Sequence, residues 1–203
     1  LVDDGSGPAC RDVLINLDRQ YDERVQLIRL AQNGGKGAAV KAGLRHLFAL
    51  GYTHAVQIDA DGQHDLTDLP TFMATGKRQP DALVTGYPRY DASVPALRYY
   101  ARYLTHVWVW INTLSLRIKD TMCGFRVYPL AKVVELLDQE SCGNRMDFDP
   151  EVIVRWAWRG WPVENLPTQV HYPIDGVSHF NAFKDNVLIS LMHARLFFGM
   201  LGR

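Results

Sequence analysis

The chain has 203 residues, of which 47% are hydrophobic, and its 22 lysine and arginine residues balance 22 aspartate and glutamate residues. This apolar content excludes a disordered chain, and the balanced charge argues against a general nucleic-acid-binding protein. A membrane-spanning helix needs roughly 18 apolar residues in a row. The best candidate, residues 94–118, is interrupted by charged residues such as Arg98 and Arg102.

The first 90 residues alternate between short apolar runs and longer helical patterns. Strands are predicted at 25–30, 54–58 and 82–86, and a helix is predicted over 37–50, before Gly51. Strands that alternate with helices indicate an α/β fold of the Rossmann type, with a mostly parallel sheet flanked by helices. Ligands of such sheets bind at the carboxyl ends of the strands.

The second half is predicted to be mainly helical. Helices are expected at 95–116, 131–137 and 150–159, with an amphipathic C-terminal helix over 182–201. A short strand is expected at 124–128, and a strand over 161–170 reads as an edge strand because prolines lie near its ends. Without a linker or repeat, residues 1–203 form a single domain. The chain begins within a strand, so we expect a first strand, within about 30 residues, to precede it.

An acidic loop follows the strand at 54–58 and reads Asp59-Ala60-Asp61-Gly62-Gln63. Asp59 and Asp61 are two residues apart and project to the same side. Two adjacent like charges are costly unless a cation lies between them. Mg²⁺ suits the pair, since it takes one or two carboxylates together with water and substrate phosphates. The alternative is a solvated acidic turn, which a D-x-D pattern alone favours.

Two further strand ends carry candidate binding residues. The turn Asn33-Gly34-Gly35-Lys36-Gly37 opens a helix, where exposed backbone N–H groups and the Lys36 charge favour an anion. An ordinary glycine turn is an equal alternative, because a true phosphate loop has a hydroxyl residue after the lysine. Asp3 and Asp4 also follow a strand, where a carboxylate accepts hydrogen bonds from a ribose or a base. The alternative there is an Asx-turn with a helix cap.

Together these segments resemble the inverting glycosyltransferases of family 2, which have the GT-A fold and use nucleotide-sugar donors. The resemblance rests on V-D-D-G-S at 2–6, N-G-G-K-G at 33–37 and D-A-D-G-Q-H-D at 59–65. It continues through G-Y-P-R at 86–89, D-T-M-C-G-F-R at 120–126 and F-D-P-E at 148–151. The order holds over nearly the whole chain, and the most similar branch is the polyprenyl-phosphate sugar synthases.

The resemblance implies a set of site residues. Those implied to bind the nucleotide donor are Asp3, Asp4, Lys36, Asp59, Ser178 and His179. Asp59, Asp61 and Gln63 are implied to hold Mg²⁺ or Mn²⁺, and Arg89 is implied to face an acceptor phosphate together with Arg98 or Arg102 from the following helix. Asp120 and Arg126 are implied to lie at the reacting centre. One departure is the segment 174–180, where His179 and Asp175 stand in place of a basic pair.

The expected reaction is a displacement at the anomeric carbon, with a nucleoside diphosphate leaving as the metal neutralises its charge. A phosphate acceptor needs no general base, whereas a hydroxyl acceptor does. Asp149 and Glu151 are the candidates for that base, and helix-capping is an equal alternative for both.

The helices at 95–116 and 182–201 combine aromatic residues with cations, which suits an interfacial position on a bilayer. Core packing of the two helices is the alternative. The sequence therefore predicts a cytoplasmic enzyme that binds the inner face of the membrane, with a lipid-linked acceptor and no nucleic-acid partner. The competing functions are a non-catalytic nucleotide-sugar binding module and a sugar nucleotidyltransferase.

Overall fold

The computed structural model describes residues 1–21, 23–89, 96–170 and 183–203, with the backbone alone over 96–102. The strands are β1 (Val2–Asp3), β2 (Ile28–Arg29), β3 (His54–Gln57), β4 (Leu83–Arg89), β5 (Arg126–Pro129) and β6 (Val163–Gln169). The helices are α1 (Pro8–Gln20), α2 (Lys36–Ala49), α3 (Leu69–Arg78), α4 (Ala96–Thr113), α5 (Leu130–Gln139), α6 (Phe148–Trp158) and α7 (Lys184–Leu201). A short 3₁₀ turn, Leu66–Asp68, precedes α3.

The main sheet has four strands in the order β3-β5-β4-β6. β5 runs antiparallel to both of its neighbours, and β4 pairs with β6 in parallel. β1 and β2 form a separate parallel pair. The α/β class is confirmed, and β6 is an edge strand as predicted. The antiparallel β5 was not predicted, because strand direction does not follow from the residue pattern.

The two faces of the main sheet bury two apolar clusters, as the alternation of side chains along a strand requires. On one face, Phe72 of α3 stacks on Phe125 at a ring distance of 4.0 Å, above Val84 and Val127. On the other face, Leu83 and Tyr128 belong to a larger cluster that includes α5 and α6. This second face also carries three polar side chains, those of Gln57, Thr85 and Arg126. The candidate functional site therefore lies on the side of the sheet that faces α6.

The α4 and α7 helices pack against each other, with the ring of Trp108 stacked 6.1 Å from His193. Ile189, Met192 and Leu196 are buried on the inner side of α7. Its outer side carries large exposed apolar residues at helical spacing, which we call the α7 stripe: Phe183, Val187, Leu191, Phe198 and Leu201. These residues are 43% to 80% exposed. Among the described helices, none has the length and hydropathy needed to cross a bilayer.

Candidate active site

Three charged side chains from distant parts of the chain meet at the carboxyl end of β3. Lys36 is the first residue of α2, Asp59 follows β3, and Asp149 lies in the first turn of α6. The Lys36 Nζ atom lies 2.6 Å from Asp59 Oδ2 and 2.6 Å from Asp149 Oδ2. One ammonium group therefore bridges two carboxylates.

The bridge is screened from solvent to different degrees at its two ends. The Asp149 side chain is 5% exposed, whereas those of Lys36 and Asp59 are 20% and 24% exposed. Burial alone would lower the pKa of Lys36, but the two carboxylates outweigh it and raise that pKa. Burial alone would raise the pKa of Asp149, but Lys36 and Arg126 hold it below its usual value. Lys36 and Asp149 therefore both carry charge at neutral pH.

Arg126 lies beneath the bridge and is fully buried. It donates hydrogen bonds to the backbone oxygens of Cys123 (2.9 Å), Thr121 (2.6 Å) and Asp149 (2.9 Å). Its Nη1 atom also lies 3.7 Å from Asp149 Oδ1. The guanidinium group is thus used for contacts within the fold, and Arg126 joins β5 to the 121–123 turn and to the start of α6. The arrangement favours a role in positioning Asp149 over direct contact with a substrate.

Gln57 contacts both carboxylates from the floor of the site. Its Nε2 atom lies 3.5 Å from Asp59 Oδ1 and 3.5 Å from Asp149 Oδ1, and its buried Oε1 atom has no hydrogen-bond partner in the described part of the chain. Gln57 was not among the residues selected from the sequence. Its position two residues before Asp59, on the same side of the strand, was the available signal.

Gly124 forms the other wall behind Asp59. A Cβ atom at this position would lie 2.0 Å from Asp59 Oδ2, which no side-chain rearrangement short of moving the carboxylate can relieve. The glycine in the 120–126 segment is therefore required by the close approach of Asp59.

Asp61 lies in an exposed turn, where its Oδ1 atom accepts a hydrogen bond from the backbone N–H of Gln63 at 3.0 Å. Within the described ranges, no three His, Cys, Asp or Glu side chains are grouped to hold a metal ion by themselves. Mg²⁺ and its substitutes need fewer protein ligands, because diphosphate oxygens and water complete the coordination shell. The oxygen atoms of Asp59, Asp61 and Gln63 fit such a shared site chemically.

The two N-terminal acids are occupied by backbone and side-chain donors. Asp4 accepts hydrogen bonds from the N–H groups of Gly34 and Gly35, both at 2.7 Å. Asp3 accepts one from Ser6 at 2.8 Å and lies 3.2 Å from Arg29. Hydrogen bonds from Ser6, with the charge of Arg29, lower the pKa of Asp3. These contacts show Asp4 shaping the loop before Lys36, while nucleoside binding by either acid stays a prediction.

Asp120 organises the turn that leads to Gly124. It is 1% exposed, and its Oδ1 atom accepts hydrogen bonds from the N–H groups of Met122 at 2.9 Å and Cys123 at 2.7 Å. The Nε2 atom of His106, on α4, lies 3.1 Å from Asp120 Oδ2. His106 was not selected from the sequence, where a single histidine in an aromatic helix gives no distinguishing signal.

Glu151 is engaged on both oxygen atoms. Arg195 Nη2 donates to its two oxygens at 2.7 Å and 2.8 Å, Arg155 donates two further hydrogen bonds, and the N–H of Gly143 donates another at 2.8 Å. Its side chain is 0% exposed. This environment favours a structural role for Glu151, tying α7 to α6, over the role of a general base.

The remaining candidate residues are placed only in part. Arg89 is exposed at the end of β4, on the same edge of the sheet as Asp59. The backbone of Arg98 and Arg102 lies in the first turns of α4, and their side chains are outside the described part of the structure. Ser178 and His179 lie outside the described residues.

The fold is shared with solved glycosyltransferase structures. Glucosyl-3-phosphoglycerate synthase from Mycobacterium tuberculosis, in complex with Mn²⁺ and UDP-glucose, aligns over 99% of this chain and 66% of its own, with a TM-score of 0.61 and 15% identity. Its complex with phosphoglyceric acid gives a TM-score of 0.60, 17% identity, and coverage of 99% and 66% of the two chains. The fold is that of the GT-A glycosyltransferases.

Sequence similarity identifies the protein family, which is a narrower class than the fold. The model of glycosyl transferase family 2 matches residues 1–136, and the chain belongs to that family. A dolichyl-phosphate beta-glucosyltransferase of Dictyostelium discoideum is 30% identical over 139 residues, which are 63% of this chain and 41% of that protein. A polyprenol monophosphomannose synthase of Mycolicibacterium smegmatis is 29% identical, over 82% of this chain and 64% of its own. The chain thus spans 41% to 64% of the length of these two relatives.

Proposed function

We propose that this glycosyltransferase moves a sugar from a nucleotide-sugar donor to a polyprenyl phosphate or a similar membrane lipid, with a divalent cation and with inversion. The observation that carries the proposal is the position of Asp59. It lies at the carboxyl end of a strand, next to a lysine at the N-terminus of a helix, and the exposed Asp61 follows two residues later. Such an end of a sheet, with acids and a helix N-terminus together, suits a metal–diphosphate group.

The proposed chemistry is a single displacement. An acceptor oxygen forms a bond to the anomeric carbon while the bond to the donor diphosphate breaks, so the configuration inverts and a nucleoside diphosphate leaves. Mg²⁺ or Mn²⁺, held by Asp59, Asp61 and Gln63, would neutralise the charge of the leaving group. Lys36 would add a second positive charge from the helix N-terminus.

A phosphate acceptor is consistent with the ion pairs that the two candidate bases form. Glu151 is held by two arginines and Asp149 by Lys36 and Arg126, so both carboxylates are paired with cations. An anionic acceptor oxygen requires no proton acceptor, and neither residue has to leave its partner. The names of the relatives, dolichyl-phosphate glucosyltransferase and polyprenol monophosphomannose synthase, support the same acceptor class.

A lipid acceptor also calls for contact with a membrane surface. We assign this contact to the α7 stripe, whose residues form an apolar row at the surface. Arg195 and Arg203 lie on or just after the same helix, but they are paired with Glu151 and Glu140, so the proposed contact rests on the apolar row. The proposal places the enzyme at the cytoplasmic face of the membrane as a peripheral protein.

The proposal is tested by assaying transfer from UDP-, GDP- and dTDP-sugars to polyprenyl phosphate in vesicles, with and without Mn²⁺. We expect metal-dependent formation of a polyprenyl-phosphate sugar from one of the three donor series. Its anomeric configuration, determined by NMR, should be opposite to that of the donor. Donor binding in a thermal-shift assay without turnover would favour a binding module instead. Pyrophosphate release from a nucleoside triphosphate and a sugar phosphate would favour a nucleotidyltransferase.

A further inference from the structure

Asp59 already has a cation against it, namely the Lys36 ammonium group. The contact is 2.6 Å long and uses Oδ2, while among the described residues Oδ1 has only the amide of Gln57, at 3.5 Å. A carboxylate proposed to hold a divalent ion is therefore neutralised from within the protein. Lysine and the divalent ion then compete for the negative charge of the same carboxylate.

The contacts of Lys36 are asymmetric in a way that permits exchange. Its second partner, Asp149, is buried and is also approached by Arg126 and Gln57. Asp59 is about five times more exposed than Asp149, at 24% against 5%. Moving Lys36 away from Asp149 would leave a buried carboxylate short of a cation, which is costly. Moving it away from Asp59 leaves a carboxylate that water or a metal ion can reach.

The backbone of Lys36 is fixed, so exchange concerns only its side chain. Asp4 holds the two preceding N–H groups, and the N–H of Ala38 donates to the backbone oxygen of Asn144 at 2.9 Å. Gly35, at a φ of +96°, packs so closely on Asn144 and Arg145 that a Cβ atom would lie 2.6 Å from the nearest atom. The ammonium group is therefore the mobile end of a rigidly anchored residue.

We propose that Lys36 is an exchangeable counter-ion for Asp59: it neutralises Asp59 in the metal-free protein and releases it to a divalent cation while remaining on Asp149. Asp149 is thus a positioning residue that keeps the ammonium group at the site. The role of the released ammonium toward a diphosphate rests on the proposed function. The competition between lysine and metal does not depend on that function. This competition makes metal binding weak in the absence of nucleotide.

The experiment is a titration of the protein with Mn²⁺ alone, followed by the loss of the free Mn²⁺ signal in electron paramagnetic resonance. In Lys36→Gln, the amide still donates a hydrogen bond to Asp149 but no longer supplies a cation to Asp59. We expect Mn²⁺ to bind about tenfold more tightly than in the wild type. In Asp149→Asn, Lys36 is left with Asp59 as its carboxylate partner, and Mn²⁺ binding is expected to weaken.

The matched control is Lys41→Gln, which removes the same charge from the same helix. Lys41 donates to the backbone oxygen of Cys142 at 2.9 Å and has no contact with Asp59 among those described. Its Mn²⁺ affinity should stay within about twofold of the wild type, because charge at a distance is screened. An equal gain in Lys41→Gln would attribute the effect to general charge and overturn the proposal.

Unchanged Mn²⁺ affinity in Lys36→Gln would also overturn it. Circular dichroism establishes whether each variant is folded. If Lys36→Gln does not fold, Asp149→Asn tests the exchange instead, because it changes the other partner of the lysine. This titration contains neither donor nor acceptor, so its failure is separate from a failure of the transfer assay. An enzyme that transfers sugar but shows no lysine–metal competition refutes this inference alone.

Discussion

Gly124 and Asp59 are in such close contact that the space for any side chain at residue 124 is filled by the Asp59 carboxylate. Gly124→Ala must therefore displace that carboxylate from Lys36 and from the predicted metal position. Misplacing a reacting group by about 1 Å can lower a rate on the order of 100-fold, and we expect a loss of that size in the transfer rate. The control is Gly7→Ala, where an added Cβ meets no atom within 4 Å. Equal rates in wild type and Gly124→Ala would show that Asp59 does not need its present position.

Asp61→Asn should abolish transfer while the protein remains folded, because Asp61 is exposed and the variant keeps the shape of the side chain. The amide cannot replace the carboxylate in neutralising a cation bound to a diphosphate. Transfer rates over a range of Mn²⁺ concentrations provide the measurement. Asp81→Asn, an exposed carboxylate paired with Lys132, is the control and should retain its activity. A fully active Asp61→Asn enzyme that still requires metal would place the metal elsewhere.

His193 should make the folded state less stable as the pH falls. Burial lowers the pKa of His193 to about 4, from the value of about 6.5 that is usual for an exposed histidine. The unfolded chain therefore binds a proton between these values while the folded protein does not, so stability is full above pH 6.5 and declines down to about pH 4. The shift corresponds to a loss of about 3 kcal/mol.

Urea unfolding at several pH values measures this decline, and His193→Gln should reduce it because glutamine does not titrate. His54→Gln, near the surface, is the control. An identical pH dependence in wild type and His193→Gln would show that another group is responsible.

Arg126→Met should destabilise the fold, because it leaves the carbonyls of Cys123, Thr121 and Asp149 without their donor and leaves Asp149 with less positive charge. Breaking a buried charged network of this kind costs about 3–5 kcal/mol. Chemical denaturation measures the change, and Arg78→Met, an exposed arginine on α3, is the control. A variant with wild-type stability but no transfer activity would instead support the prediction that Arg126 acts at the reacting centre.

Charge on the α7 stripe should weaken membrane binding without unfolding the protein. Leu191 and Phe198 are 63% and 71% exposed, so glutamate at both positions changes little in the core but opposes contact with a bilayer. We expect the doubly substituted protein to remain in the supernatant after sedimentation with anionic liposomes that pellet the wild type. The control places glutamate at Leu50 and Met73, which are similarly exposed elsewhere on the surface. Equal loss in both proteins would mean that the stripe is not the contact surface.

Local patterns predicted much of this arrangement. The alternation of strands and helices placed Asp59 at the end of β3 and Lys36 at the start of α2, where the structure has them. The partner of Lys36 was not predicted, because Asp149 is distant in the sequence and its contact depends on how α6 packs. The family resemblance implied a place for Arg126 at the reacting centre, and Glu151 was a candidate base with helix capping as an equal alternative. Their partners, backbone carbonyls and two arginines, become visible only in the folded chain.

The ion pair between Arg195 and Glu151 means that α7 is not a detachable tail. A truncation before α7, a common route to more soluble enzymes, would take away one guanidinium group from a carboxylate that has no access to water. It would also uncover the apolar surface on which Ile189, Met192 and Leu196 rest. Single substitutions in the α7 stripe are therefore a better route to a more soluble protein than shortening the polypeptide.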